Sequence, residues 1–282
     1  MSERIAWIGI GNLATPIVRR LIAAGHRPML FDLRAELLAP FEGEADLAGS
    51  AAEAAGAADL VFSTLPSDKA LEAVGAEVLP AIGDGVFCDM STVSPEASSR
   101  VAAIGDYVRA PVSGSVAHAE QGILTVIASG PEAAYQRLAP IFELFSAQRY
   151  HVGEAEEARY LKLVINNLVG STAALMAESL AMGSKAGLDW QRMLEVIANS
   201  AVASPLVKYK AGPLAERDFS PAFTTELMIK DMSLFRSAAE TLRCPTPLAA
   251  ETESLLREHA ANGGGQEDFF ALVKLLEAKS NN

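Results

Sequence analysis

The chain has 282 residues, half of them apolar and 21% charged, an ordinary globular balance with material for a sizeable core. That length exceeds a typical single domain and suits two of roughly 100–200 residues each. Acidic residues outnumber basic ones 35 to 23, for a formal net charge of -12. This argues against nucleic acid or an anionic membrane as partner, since either calls for a basic surface. A small anionic substrate in one local basic pocket stays compatible.

The first apolar stretch, 5–8, is too short for a signal-peptide core, and no uninterrupted apolar run approaches the roughly 20 residues that span a bilayer. Cys88 and Cys244 are far apart and fit no metal spacing. The expectation is two reduced, buried thiols, no metal site and a cytoplasmic location.

In chain order, 5–8 reads as a strand, 15–25 as a helix closed by Gly25, and 28–32 as a second strand. Further strands are expected at 59–65, 85–89 and 107–111, with another candidate at 124–129. Strands alternating with helical patterns imply a parallel, doubly wound α/β sheet, and unbroken apolar runs fit strands covered on both faces. After about Gly153 strand-like runs vanish and alanine, leucine and glutamate dominate. Residues 154–187 form either one very long helix or two meeting near Gly170. The division expected is a nucleotide-binding domain over 1–153 and an all-helical domain over 154–282, with a frayed tail at 279–282.

Gly9-Ile10-Gly11-Asn12-Leu13-Ala14 follows the first strand and opens the first helix. Gly9 suits the tight turn, Gly11 lets the backbone approach a pyrophosphate, and Ala14 allows close packing of helix on strand. The helix N-terminus offers unpaired N–H groups to phosphates. Asp32, 21 positions after Gly11, is placed to accept hydrogen bonds from ribose hydroxyls, which favours NAD. It also fits a plain helix cap, and Arg34 beside it would suit the 2′-phosphate of NADP. The cofactor expected is therefore NAD or NADP, with NAD preferred.

These segments, with Thr64-Leu65-Pro66, Asp89-Met90-Ser91-Thr92, Ala110-Pro111-Val112-Ser113-Gly114, Lys162 with Asn166, and Lys230-Asp231, resemble the β-hydroxyacid dehydrogenases. That family includes 3-hydroxyisobutyrate dehydrogenase, tartronate semialdehyde reductase and glyoxylate/succinic semialdehyde reductase. The resemblance runs from Ile5 to about Lys279. It implies a Rossmann domain joined by a long helix to a helical domain of the 6-phosphogluconate dehydrogenase type, commonly in homodimers or homotetramers. It also implies that Leu65, Pro66, Thr92 and Lys230 contact the cofactor, beside Gly9, Ile10, Gly11, Asn12, Leu13, Asp32 and Arg34. Ser113, Gly114 and Ser115 correspond to a loop for the substrate carboxylate.

Read locally, the same residues have plainer roles: Thr92 in a helix-start signal, 113–115 as a turn, Lys230-Asp231 as a charged helix pair. The chain departs from the resemblance at Ala70, where relatives carry a cofactor-contacting asparagine, and at Ser115 and His118, which replace glycines. Arg109 stands where an acidic residue is common.

Hydride transfer to or from a small hydroxy acid needs a group that handles the hydroxyl proton. Lys162 lies in an apolar helical stretch, and Asn166, four residues on, shares its face. Burial in a cleft would lower the lysine pKa from about 10.4, bringing both protonation states within reach. The activity implied is reversible oxidation of a small 3-hydroxy acid or reduction of the matching semialdehyde, with Lys162 as acid/base and Asn166 orienting. An imine reductase on the same architecture and a catalytically silent nucleotide sensor are the alternatives. Phe219 and Phe223 read as core, while 201–210 and His118 are expected to shape the pocket.

Overall fold

Three fully buried four-residue strands, 5–8, 60–63 and 86–89, form the middle of the first sheet in the computed structural model, which describes residues 3–280. The elements of the first compact unit, which ends at Lys162, begin with β1 (Ile5–Ile8), α1 (Ala14–Ala23), β2 (Met29–Phe31), β3 (Asp46–Leu47), α2 (Ala51–Gly56) and β4 (Leu60–Ser63). They continue with α3 (Asp68–Ala81), β5 (Val86–Asp89), α4 (Pro95–Ala102), β6 (Val108–Arg109), β7 (Val112–Ser113), α5 (Val116–Gln121), β8 (Leu124–Ala128), α6 (Glu132–Phe142) and β9 (Ser146–His151).

Strands β1 to β6 form one parallel sheet in the order β3-β2-β1-β4-β5-β6. The order reverses between β1 and β4, the point at which doubly wound sheets open a ligand crevice beyond their C-terminal strand ends. A smaller sheet, β7-β8-β9, pairs β7 antiparallel and β9 parallel to β8. The predicted strand 107–111 is realised only as β6; Pro111, which has no N–H for a ladder, separates it from β7, which lies beyond the predicted span. β9, Ser-Ala-Gln-Arg-Tyr-His, was not expected: it is a partly exposed edge strand whose polar residues carry no apolar signal.

The first core packs on both faces of the large sheet. Trp7 stacks on Phe62, with ring centroids 5.0 Å apart, and Phe142 and Phe145 meet them edge-on. The alanines of α2, Ala51, Ala54 and Ala55, are buried against the other face.

A single helix, α7 (Glu157–Lys185), runs from the end of the first unit into the second. Its 29 residues span about 44 Å at the helical rise. Gly170 does not break it. A Cβ there would come within 2.8 Å of the Met232 sulfur and 3.0 Å of the Met228 sulfur, so glycine serves close packing. Although no uninterrupted apolar run marks it, α7 is long and apolar enough by length and composition to cross a membrane. Its Ala173, Met176, Ala177 and Leu180 are instead buried in the second core.

The second unit adds α8 (Trp190–Ala198), α9 (Pro205–Ala215), α10 (Thr225–Thr241), α11 (Pro247–His259) and α12 (Leu272–Ser280). Lys279 and Ser280 belong to α12, and Lys279 pairs with Glu258 at 2.6 Å, so this part of the expected frayed tail is helical. Asn281 and Asn282 lie outside the described residues, as do Met1 and Ser2 at the other end. Phe219 and Phe223 pack against this core. Cys88 is buried as expected, but Cys244 is exposed: it follows the last turn of α10, in the link to α11.

Candidate active site

The turn after β1 is built as its glycines require. Gly9 has φ +87°, and a Cβ there would lie 2.4 Å from the Thr64 carbonyl oxygen. At Gly11 a Cβ would meet no atom within 4 Å, so only the side chain's absence keeps that space over the helix end open. Seryl hydroxyls of Ser50, Ser67 and Ser94 cap α2, α3 and α4, whereas no side chain caps α1. Its first N–H groups thus remain suited to an anion. Asn12 is exposed, and Leu13 packs on the core.

Asp32 does more than await a ribose. Its Oδ2 accepts the Ile10 N–H at 2.7 Å and its Oδ1 the Arg34 N–H at 2.8 Å. The carboxylate therefore braces the glycine turn and caps the chain leaving β2, while its remaining lone pairs can serve two hydroxyls. The Arg34 side chain is largely exposed, with Nε 3.7 Å from Asp32 Oδ1. These residues fit the adenosine and pyrophosphate parts of a dinucleotide.

Leu65, Pro66 and Thr92 follow β4 and β5, beyond the strand ends. Beneath them lies a buried network that the sequence did not disclose. Asp89 Oδ1 accepts from the hydroxyls of Ser63 and Ser91, each at 2.6 Å, and Ser91 Oγ accepts the Leu65 N–H at 2.7 Å. Arg159, 1% exposed in the first turn of α7, donates to Asp89 Oδ2 at 2.5 Å and to the Ser91 carbonyl at 2.6 Å. Burial alone would lower the Arg159 pKa, but the Asp89 carboxylate and Tyr107 raise it, so the guanidinium stays charged. Burial, and then the Asp89 charge, pushes the neighbouring Cys88 thiol up, which makes it unreactive.

One sign was present in the sequence, because an arginine in a helix's first turn opposes the dipole and calls for a tertiary partner. Arg109 has a related role. It donates to Glu156 Oε1 at 2.6 and 3.1 Å and to the Tyr107 carbonyl at 3.0 Å. Two buried arginines thus fasten the start of α7 to the sheet.

The loop expected to take the substrate carboxylate runs from β7 into α5. Gly114 has φ +136°, and a Cβ would meet Leu124 Cδ2 at 2.6 Å and His118 Cβ at 3.1 Å. Ser115 has φ -94° and ψ 178°, ordinary extended backbone, so its replacement of a glycine causes no strain. Its amide and hydroxyl both face His118 Nδ1, at 3.2 and 2.8 Å.

Lys162 is partly buried on α7, the last residue of the first unit. Helical geometry aligns it with buried Arg159 and Asn166 along one stripe. Within the second unit, Asn166 Nδ2 donates to Asp231 Oδ2 at 2.6 Å, and Lys230 Nζ lies 3.4 Å from Asp231 Oδ1. Asp231 thus lies where it can support Lys230, the part the resemblance implies for it, and it also anchors Asn166, which was not foreseen. Lys210, in the segment expected to shape the pocket, turns inward: 5% exposed, it pairs with buried Asp268 at 2.6 Å beside a cavity of about 200 Å³.

Two family models match the chain. One, for the NAD binding domain of 6-phosphogluconate dehydrogenase, covers residues 4–153; the other, described as NAD-binding of NADP-dependent 3-hydroxyisobutyrate dehydrogenase, covers 157–276. The chain is similar to 2-(hydroxymethyl)glutarate dehydrogenase of Eubacterium barkeri, at 32% identity over 98% of this chain and 95% of that protein. It is also 32% identical to 3-hydroxyisobutyrate dehydrogenase of Pseudomonas aeruginosa, over 98% and 99% of the two chains. Among solved structures, 3-hydroxyisobutyrate dehydrogenase of Mycobacterium tuberculosis with L-serine matches with a TM-score of 0.88 at 27% identity, covering 98% of this chain and 99% of that one.

Proposed function

Because the chain belongs to the β-hydroxyacid dehydrogenase family, we propose that it oxidises a small 3-hydroxy acid, or reduces the matching semialdehyde, with NAD(P). The observation that carries the reading is Lys162, a partly accessible lysine on a helix stripe otherwise occupied by buried Arg159 and Asn166. A bound nicotinamide supplies the carbon that takes or gives the hydride. Lys162 Nζ takes the alcohol proton in oxidation and returns it to the carbonyl oxygen in reduction. Asn166, its carboxamide oriented by Asp231, positions the hydroxyl-bearing end of the substrate.

Ser113, Gly114 and Ser115 form the loop that binds the substrate carboxylate. Gly9, Ile10, Gly11, Asn12 and Leu13 hold the pyrophosphate, and Leu65, Pro66, Thr92 and Lys230 are the other residues assigned to the cofactor. Asp32 favours NAD, since a carboxylate repels a 2′-phosphate, while exposed Arg34 leaves NADP a weaker substrate. The same proposal makes the protein a cytoplasmic homo-oligomer. Leu161, Leu168, Leu175 and Met182 recur every seven residues on α7 and are exposed, which suits a second copy of this helix.

A panel of 3-hydroxy acids and semialdehydes, run with NAD and NADP and read by reduced-nicotinamide absorbance, tests the reading. Turnover with a higher kcat/KM for NAD is expected. Binding of NADH without turnover of any substrate would show a silent nucleotide binder. Imine turnover that survives Lys162→Ala would show an imine reductase.

A further inference from the structure

The bond between Ser115 and His118 assigns the imidazole a task. A backbone N–H only donates, so the contact from Ser115 N at 3.2 Å requires Nδ1 to present its lone pair. The neutral ring then carries its hydrogen on Nε2. His118 is the third residue of α5 and Ser115 its N-cap. The contact is thus one half of a capping box, with imidazole where glutamate or glutamine usually reaches back to the N-cap amide.

The rest of the loop is equally constrained. Gly114 is pressed between Leu124 and His118. At the other end of α5, Gly122 has φ +74° and packs under the Arg20 guanidinium, which donates to the Glu120 carbonyl at 3.0 Å and the Leu144 carbonyl at 2.6 Å. Arg20 belongs to α1, the helix that opens on the dinucleotide turn. The short helix behind the loop is therefore tied to the cofactor helix at its C-terminal end and closed by His118 at its start.

We propose that His118 is a positioning residue for the substrate: it holds the Ser115 amide and hydroxyl toward the imidazole and so fixes Ser113 and Gly114 as the loop's carboxylate donors. This rests on the reading of 113–115 as the carboxylate loop. Losing His118 lets the Ser115 amide turn, and the substrate carboxylate meets a loop that must first be ordered. The effect falls on substrate binding, with cofactor binding and the chemical step unaltered.

His118→Ala and His118→Gln separate this role from general damage, because glutamine at the third helical position can accept the same amide. With a 3-hydroxy acid as substrate, His118→Ala is expected to raise KM about fivefold, the equivalent of one hydrogen bond of about 1 kcal/mol. The KM for NAD and kcat should hold within about twofold on the same reasoning, and His118→Gln should restore the substrate KM. An unchanged KM in His118→Ala, or a His118→Gln as impaired as His118→Ala, would overturn the proposal. Independently of turnover, ¹⁵N-histidine spectra in mildly alkaline buffer should show a signal of the Nε2–H tautomer that His118→Gln removes. A His118 signal of the Nδ1–H tautomer contradicts the proposal even if the enzyme is active. The expected tautomer in a protein that turns over no hydroxy acid faults the functional reading alone.

Discussion

The two compact units keep polar groups in their interiors for different ends. In the sheet unit the buried charges gather at the C-terminal ends of β5 and β6, where Asp89 pairs with Arg159 and Arg109 with Glu156. In the helical unit they join one element to another: Lys210 to Asp268, Glu253 to Arg236, Asn166 to Asp231. Only the last of these touches residues assigned to the chemistry. A buried ion pair is therefore no marker of a catalytic centre by itself. What distinguishes the sheet unit's network is that it lies under backbone already shaped for a dinucleotide.

If the helical unit depends on such pairs, Asp268→Ala should be its most damaging change. It strands the Lys210 ammonium among the rings of Tyr209, Phe269 and Phe270 and leaves the Ala222 and Phe270 amides without their acceptor. A loss of about 3–5 kcal/mol is expected in denaturant unfolding. Lys210→Met should cost less, because Asp268 keeps its backbone donors; equal losses would break the comparison.

Next in size is Gly264→Ala, whose Cβ would fall 2.1 Å from His259 Nε2, with an expected loss of about 1–3 kcal/mol in the same measurement. A smaller effect concerns pH. Burial holds His259 below its ordinary 6.5, against the pull of Glu267 and with a further push from Lys274. Its contribution is fully present above pH 6.5 and is lost as pH falls toward the lower folded value. Melting temperature should therefore decline over that window, and His259→Asn should flatten the decline. Smallest of all, removing the exposed Arg192–Glu195 pair should change stability by less than about 0.5 kcal/mol.

What the sequence disclosed follows the same division. Gly9, Gly11 and Asp32 were legible because the turn constrains the backbone, and few residue types meet that constraint. Strands β1, β4 and β5 announced themselves as apolar runs. Whether 154–187 holds one helix or two was not decidable, because the reason for Gly170 lies in two methionine sulfurs on another helix. Arg109 had no local explanation, since its partner Glu156 is 47 positions away. Pairings of that kind leave no periodic trace. Lys162 is proposed from a pattern of residues that includes Lys230-Asp231, whereas Arg159, buried against Asp89, is seen only in three dimensions.

Lys162 is the residue on which the proposed chemistry depends most. Single-turnover and steady-state rates of Lys162→Ala with a 3-hydroxy acid and NAD, beside NADH affinity, test it most directly. A fall in kcat of roughly 10²–10⁴-fold, with NADH binding unchanged, is the predicted result for loss of a positioned acid/base. Near-normal kcat in Lys162→Ala would contradict it.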